Sequence, residues 1–259
     1  MEAVEKTGGK IYRLTTAYKD IFTTVYLIRT PKGDLLFDAA SYDRDVDEAI
    51  LPFLTGLGVT QETLKYVFIS HHHTDHAGGL RRLMQHFPQA CIVSFHQETG
   101  EEYPLCRWMM PQEGQCLLDV LQVVSIPGHT KDSGAILDTC TSTLISGDCL
   151  QMYGIFGSGP WGAAIRFPQE HRQAVEKLRD MGLKRLLTAH DYHPLGHDCS
   201  GEEMVSRALD ACIAPLDRIE ELIRRNPGLS DAEICAAYHA AEKLPTLAEG
   251  VVAAIRRVI

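Results

Sequence analysis

Four cation-binding side chains fall within one short run, Ile69-Ser70-His71-His72-His73-Thr74-Asp75-His76-Ala77-Gly78-Gly79. They are His71, His73, Asp75 and His76, and His72 reads as a spacer. The chain has only 12 histidines in 259 residues. A solvated turn needs no such concentration, whereas imidazole with carboxylate is the donor set of a transition-metal site. Three more candidates each follow an apolar run: His129 in Pro127-Gly128-His129-Thr130, Asp148 after Gly147, and His190 before Asp191. Singly, each is an ordinary turn residue. Together with the first cluster they provide five imidazoles and two carboxylates. That exceeds the three or four donors of one tetrahedral site and is enough for two cations sharing a carboxylate. Asp38 ends the apolar run Leu35-Leu36-Phe37. It either caps a helix or accepts a hydrogen bond from a ligating imidazole.

Such donors must be carried on a rigid frame. Residues rich in β-branched and aromatic side chains predict strands over 10–17, 23–29 and 35–37, with a turn at Thr30-Pro31-Lys32-Gly33-Asp34. A helix over 43–57 with a kink at Pro52, a strand over 64–70, a helix over 77–87 and a strand over 90–95 follow. Residues 96–114 read as an irregular loop, 117–126 as one strand, and 135–138 with 142–145 as a hairpin. A glycine- and aromatic-rich loop over 151–167 precedes a helix over 168–181 and a strand over 186–189 that runs into His190. Strands alternating with helices define an α/β fold. Beyond about residue 200 only helical periodicity remains, over 202–225, 230–241 and 246–258. The expected division is a catalytic domain over 1–200 and a helical C-terminal extension over 201–259, a candidate lid or homo-oligomer contact.

A formal charge of −9 argues against broad electrostatic binding to nucleic acid or anionic membranes. A small-molecule substrate is the expected partner. Met1–Lys6 has no apolar core of a secretory signal, and no run is long enough to cross a bilayer. The eight cysteines include no C-x-x-C pair, so they read as reduced thiols of a cytoplasmic chain rather than zinc ligands. Tyr153, Trp161 and Tyr192, with Phe156 and the loop around Trp108, are candidates for a substrate wall, although core packing accounts for such aromatics more often.

In this order, Asp38, His71-x-His73-x-Asp75-His76, Pro127-Gly128-His129-Thr130, Gly147-Asp148 and His190 resemble the metallo-β-lactamase-fold superfamily, over residues 10 to about 197. The resemblance implies a four-layer αβ/βα sandwich with the site at one edge of its two sheets and a C-terminal helical appendage. It places His71, His73 and His129 on one metal and Asp75, His76 and His190 on a second, with Asp148 bridging. The cofactors it implies are two divalent ions, zinc before iron or manganese. The activity it implies is that of a dinuclear metallo-hydrolase whose bridging hydroxide cleaves a small ester, thioester or lactone, with Asp75 also moving a proton. Pro127–Thr130 and His190-Asp191-Tyr192 look like stretches of glyoxalase II-like thioester hydrolases. The tail after Asn226 is similar to that of a β-lactamase-like branch that includes ribonucleases. A phosphodiesterase or ribonuclease is therefore the alternative. A mononuclear iron thiol dioxygenase is a further one, disfavoured by the complete set of seven donors.

Overall fold

Short runs with apolar residues on both faces build two sheets whose two faces are each covered. A computed structural model of the chain describes residues 10–19, 21–152, 155–156, 163–193, 195–242 and 247–259. The first sheet runs in the order β1 (Lys10–Tyr18), β2 (Ile21–Thr30), β3 (Gly33–Phe37), β4 (Leu64–Ile69), β5 (Cys91–Ser94) and β6 (Arg107–Met109). Its first three strands are antiparallel, and β3 to β6 are parallel. The second sheet contains β7 (Cys116–Leu117), β8 (Leu121–Ser125), β9 (Gly134–Asp138), β10 (Thr143–Gly147), β11 (Ile155–Phe156), β12 (Arg185–His193) and β13 (Gly196–Ser200). Its order is β11-β12-β10-β9-β8-β7, with β13 also paired to β12.

Parallel neighbours need crossovers, and these carry helices. Between β3 and β4 the chain passes through α1 (Asp43–Asp45), a π-turn over Val46–Ile50 and α2 (Leu51–Gly56). Pro52 has no N–H to close the usual bond to Glu48, which accounts for the π-turn just before it. The short α3 (Thr74–Ala77) and α4 (Leu80–His86) join β4 to β5, α5 (Thr99–Glu102) joins β5 to β6, and α6 (Pro168–Arg179) precedes β12.

The alternation sorts side chains into layers. On β2, Tyr26 and Ile28 face the partner sheet while Val25 and Leu27 face helices; on β3, Leu35 and Phe37 oppose Leu36 in the same way. From the second sheet Val123, Ile136 and Ile145 point inward, and Val124, Ala135 and Leu144 pack against α6 and the helix after β13. The result is a helix–sheet–sheet–helix sandwich. Phe37 and Phe68 stack at its centre, ring centroids 5.3 Å apart.

The C-terminal helices are α7 (Glu202–Arg225), α8 (Asp231–Glu242) and α9 (Glu249–Arg256). Val205, Ala208, Leu209 and Cys212 of α7 lie in the core under the second sheet, whereas Leu216, Ile219 and Ile223 pack with α8, α9 and Ile165. One helix thus belongs to both hydrophobic clusters. Among the described residues no helix is long and apolar enough to cross a membrane. All eight cysteines are free thiols.

Three local expectations are corrected. The stretch 96–114 is not irregular: it contains α5 and the edge strand β6, where the Trp108 ring lies so close to Gly100 that a Cβ there would meet it at 2.5 Å. The single strand over 117–126 is a hairpin, because Leu118 and Asp119 adopt positive φ of 49° and 69°. His190 lies inside β12 rather than beyond it. Register with β10 ends at the Gly147–Thr188 pair, and the strand continues by pairing with β11 and β13.

Phe37→Ala removes one ring of the inter-sheet stack and should lower the unfolding free energy by about 3–5 kcal/mol. Denaturant unfolding of a variant with retained secondary structure measures it.

Candidate metal centre

The loops leaving β3, β4, β8 and β10 converge at one edge of the sandwich with the late part of β12. Hydrogen bonds between the sheets fix that edge. The Tyr26 hydroxyl donates to the Thr188 carbonyl at 2.6 Å, Thr24 Oγ1 donates to the Ala189 carbonyl at 2.8 Å, and Gly134 N donates to the Ser70 carbonyl at 2.8 Å. Two loops then pass so closely that only glycine fits at one point. At Gly147 (φ 60°) a Cβ would sit 2.8 Å from Ser70 Oγ and 3.4 Å from Asp38 Oδ2.

The structure brings all seven sequence-nominated donors together. His71 Nε2 and His129 Nε2 lie 2.9 and 3.0 Å from His73 Nδ1. Asp75 Oδ2 lies 3.3 Å from His76 Nε2 and 3.4 Å from His190 Nε2. Asp148 reaches both groups: Oδ1 is 3.2 Å from His71 Nε2 and 3.5 Å from His76 Nε2, and Oδ2 is 3.6 Å from His129 Nε2 and 3.4 Å from His190 Nε2. His71, His73 and His129 form one set that could hold a metal ion, and Asp75, His76, Asp148 and His190 form another.

The ring nitrogens facing away from the centre are anchored. His76 Nδ1 is 2.7 Å from Asp38 Oδ2, His129 Nδ1 is 2.7 Å from the Ala164 carbonyl, and His190 Nδ1 is 2.7 Å from the Phe22 carbonyl. An N–H donated outward leaves the Nε2 lone pair aimed inward, the arrangement a ligating imidazole needs. Asp38 also accepts the Ser70 backbone N–H at 2.7 Å and its hydroxyl at 2.9 Å, so it braces the start of the histidine loop. Asp38 holds a left-handed φ of 66°. The helix-cap reading of Asp38 therefore gives way to the imidazole-partner reading. Gln151 is a further brace: its Nε2 donates to the Asp148 carbonyl at 2.6 Å and its Oε1 accepts from Ala164 N at 2.9 Å.

The electrostatics of the two groups differ. Burial pushes His71 well below the ordinary imidazole range and, with the neighbouring His129, takes His73 down to about 4. For His76 and His190 burial acts in the same direction but is outweighed by Asp75 and Asp148. His76 stands well above its usual range and His190 is pushed up to about 9. Burial would raise Asp75 and Asp148, yet the surrounding imidazoles hold both carboxyls well below the carboxylate range. His76 Nε2 and Asp148 Oδ1 are buried with no hydrogen-bond partner among the described residues. Buried polar atoms seldom go unsatisfied, and nitrogen and oxygen donors converging on them fit a divalent cation.

The aromatic candidates fare differently. Tyr153 and Trp161 lie outside the described residues, as does the side chain of Phe156. Tyr192 is 1% exposed and packs in the cluster between the second sheet and its helices, so its hydroxyl is not open to a substrate. His72, read as a spacer, instead binds Asp132 through Nδ1 at 2.9 Å. The carbonyls of Phe22 and Ala164 leave no sequence signal, because every residue has one.

The sandwich thus brings together at one edge a histidine–aspartate cluster that could hold metal. The family model described as the metallo-beta-lactamase superfamily matches residues 18–94, which include Asp38 and the histidine-rich loop. A hydroxyacylglutathione hydrolase from Thermosynechococcus vestitus is 29% identical over 187 residues, 70% of this chain and 68% of that protein. A beta-lactamase-like protein 2 homolog from Caenorhabditis elegans is 23% identical over 198 residues, 73% of this chain and 64% of that protein. The chain therefore spans about two thirds of the length of these curated relatives. A metallo-beta-lactamase family protein from Thermus thermophilus superposes with a TM-score of 0.65 at 17% identity, over 95% of this chain and 90% of that one. In sequence the chain is similar to the metallo-β-lactamase superfamily over its first third, and its fold matches that of solved members.

Two outcomes follow for metal loading. Without a cation His190 keeps its proton up to about pH 9, so a metal at the second group must displace it. Apparent affinity there should rise as pH climbs towards about 9, whereas His73, neutral above about pH 4, adds no such dependence to the first group. Chelator competition at stepped pH measures both. Asp38→Asn keeps the shape and tolerates the left-handed backbone but weakens the acceptor for His76. It should lower metal affinity at the second group about 10- to 100-fold, as read by equilibrium dialysis.

Proposed function

We propose that the protein hydrolyses a small thioester at a centre of two divalent cations, with esters and lactones as related substrates. One observation carries this reading: two donor groups meet on a shared carboxylate, Asp148, around the buried His76 Nε2, which makes no hydrogen bond among the described residues. His71, His73 and His129 would hold one cation, and Asp75, His76 and His190 the other, with Asp148 between them. Imidazole with carboxylate suits zinc, iron or manganese. When bound, the cations supply a water of lowered pKa and Lewis-acid polarisation of the scissile carbonyl.

The chain's own residues do the rest. Asp75, ionised and fixed between His76 and His190, would orient the attacking water by accepting a hydrogen bond from it. Asp38 and the Phe22 and Ala164 carbonyls hold three imidazoles in one tautomer. Beside the first group lies a cleft of about 460 Å³, lined by Thr130, Lys131, Arg166, Phe167, Phe95 and His72. Its wall combines Lys131 and Arg166 with Asp132 and Glu98 and the Phe95 and Phe167 rings, which suits an acyl substrate with an apolar body and polar groups of its own. The relative named hydroxyacylglutathione hydrolase supports the thioester ahead of the ester and lactone.

The test is a kinetic panel of thioester, ester, lactone and phosphodiester substrates, with metal content measured by mass spectrometry. Thioester turnover should exceed the rest. His73→Ala should retain the fold, lose bound metal and lose at least about 100-fold in kcat/KM, the scale set by one preorganised electrostatic contact. Undiminished turnover in a folded, metal-depleted His73→Ala variant would overturn the reading, as would turnover confined to the phosphodiester.

A further inference from the structure

Outside the buried centre, a second set of donors converges from three separate loops. His72 belongs to the histidine-rich loop, His96 follows β5, and Asp132 lies between β8 and β9. His72 Nδ1 is 3.0 and 2.9 Å from the two Asp132 oxygens, and His96 Nδ1 is 3.8 Å from Asp132 Oδ2. One ligand atom from each residue lies within 4.8 Å of the other two. The two imidazoles stack, centroids 4.8 Å apart and planes 24° from parallel, so both rings present an edge to the same side chain.

We propose that His72, His96 and Asp132 form a third cation site, specific for borderline metals such as Zn²⁺, on the outer wall of the catalytic cleft. Three nitrogen and oxygen donors with one water complete a tetrahedral shell, and two imidazoles favour zinc over calcium or magnesium.

The carboxylate is prepared for the role. Asp132 is 8% exposed at its side chain and accepts the His72 backbone N–H at 3.0 Å. The neighbouring charge is net negative on the His96 side. Glu98 Oε2 lies 3.4 Å from His96 Nδ1 and Glu102 Oε1 lies 3.6 Å from His96 Nε2. Lys131 and Arg166 line the cleft on the other flank. The site is also accessible, since His72 and His96 line two adjoining clefts and the His72 side chain is 46% exposed.

Position gives this site a consequence. The His72 and His73 rings are 5.4 Å apart, so a cation on His72 stands next to the first buried group. Exposure makes it the weaker and more readily exchanged of the cation sites. It would add positive charge to the rim of the cleft when free zinc is abundant. The inference concerns metal binding alone and does not depend on which substrate the buried centre cleaves.

The experiment titrates Zn²⁺ into the metal-loaded protein by calorimetry, with metal counted by mass spectrometry after equilibrium dialysis. Wild type should bind one further equivalent, more weakly than the metal that survives dialysis. His96→Gln and Asp132→Asn should each weaken that equivalent at least tenfold while the dialysis-resistant metal and the thermal melting profile stay unchanged. Glu98→Gln, outside the three donors, should retain it. The proposal is overturned if wild type takes up no further equivalent, or if both His96→Gln and Asp132→Asn bind it at wild-type affinity. If Asp132→Asn proves unstable through loss of its loop bonds, His96→Gln decides alone.

Discussion

Two buried carboxylates, Asp75 and Asp148, share the same pair of imidazoles, and like charges at that depth persist only where positive charge is brought to them. In the protein by itself, protons on His76 and His190 do this. A divalent cation does it better, because it neutralises both carboxylates and also satisfies the Nε2 and Oδ1 atoms left without partners. The first group has a different character. His71 and His73 are held neutral by burial, so they present lone pairs rather than charge. The centre thus combines a neutral nitrogen-rich pocket with an anionic one, joined by Asp148.

Holding that arrangement falls to the seam between the sheets. The first sheet supplies Asp38 and the histidine-rich loop, while the second supplies His129, Asp148 and His190. Neither sheet completes a donor group. The hydrogen bonds of Tyr26 and Thr24 to β12, and of His190 to the Phe22 carbonyl, set the two contributions against each other. The stacked Phe37 and Phe68 behind them exclude water from the interface. Gly147 lets the Asp148 loop pass the Ser70 and Asp38 side chains at a distance no Cβ would permit.

Much of this was legible in the sequence for a physical reason. A ligating side chain must be His, Asp or a similar type, and most of these follow closely on an apolar strand, so chemistry and position both mark the chain. The apolar and β-branched runs of β2, β3, β9 and β10 were equally visible, because both faces of each strand are covered. What stayed hidden lacked a side-chain signature. The Phe22 and Ala164 carbonyls orient imidazoles through backbone atoms alone. The hairpin at Leu118-Asp119 turns on residues whose positive φ their types do not announce. The polar strand β13, Gly-His-Asp-Cys-Ser, forms because β12 offers an edge and Arg185 pairs with Asp198, a tertiary reason rather than a local one. Tyr192 shows the opposite error: an aromatic beside a candidate ligand reads as a pocket wall, and packing claimed it instead.

The division of donors between the sheets has a consequence for folding as well as chemistry. A cation bound by His71, His73 and His129 links the β4 loop to the loop after β8, and one bound by Asp75, His76 and His190 links the β4 loop to β12. Each closes a connection between segments far apart in the chain that the unfolded state does not make. Binding to the native arrangement alone stabilises it by mass action, by about 2.7 kcal/mol for each site at a hundredfold excess over its dissociation constant. The buried carboxylates that keep protons on His76 and His190 are therefore the same groups through which a bound cation would join the two sheets. The groups that could hold metal are thus the same atoms that would clamp the two sheets together.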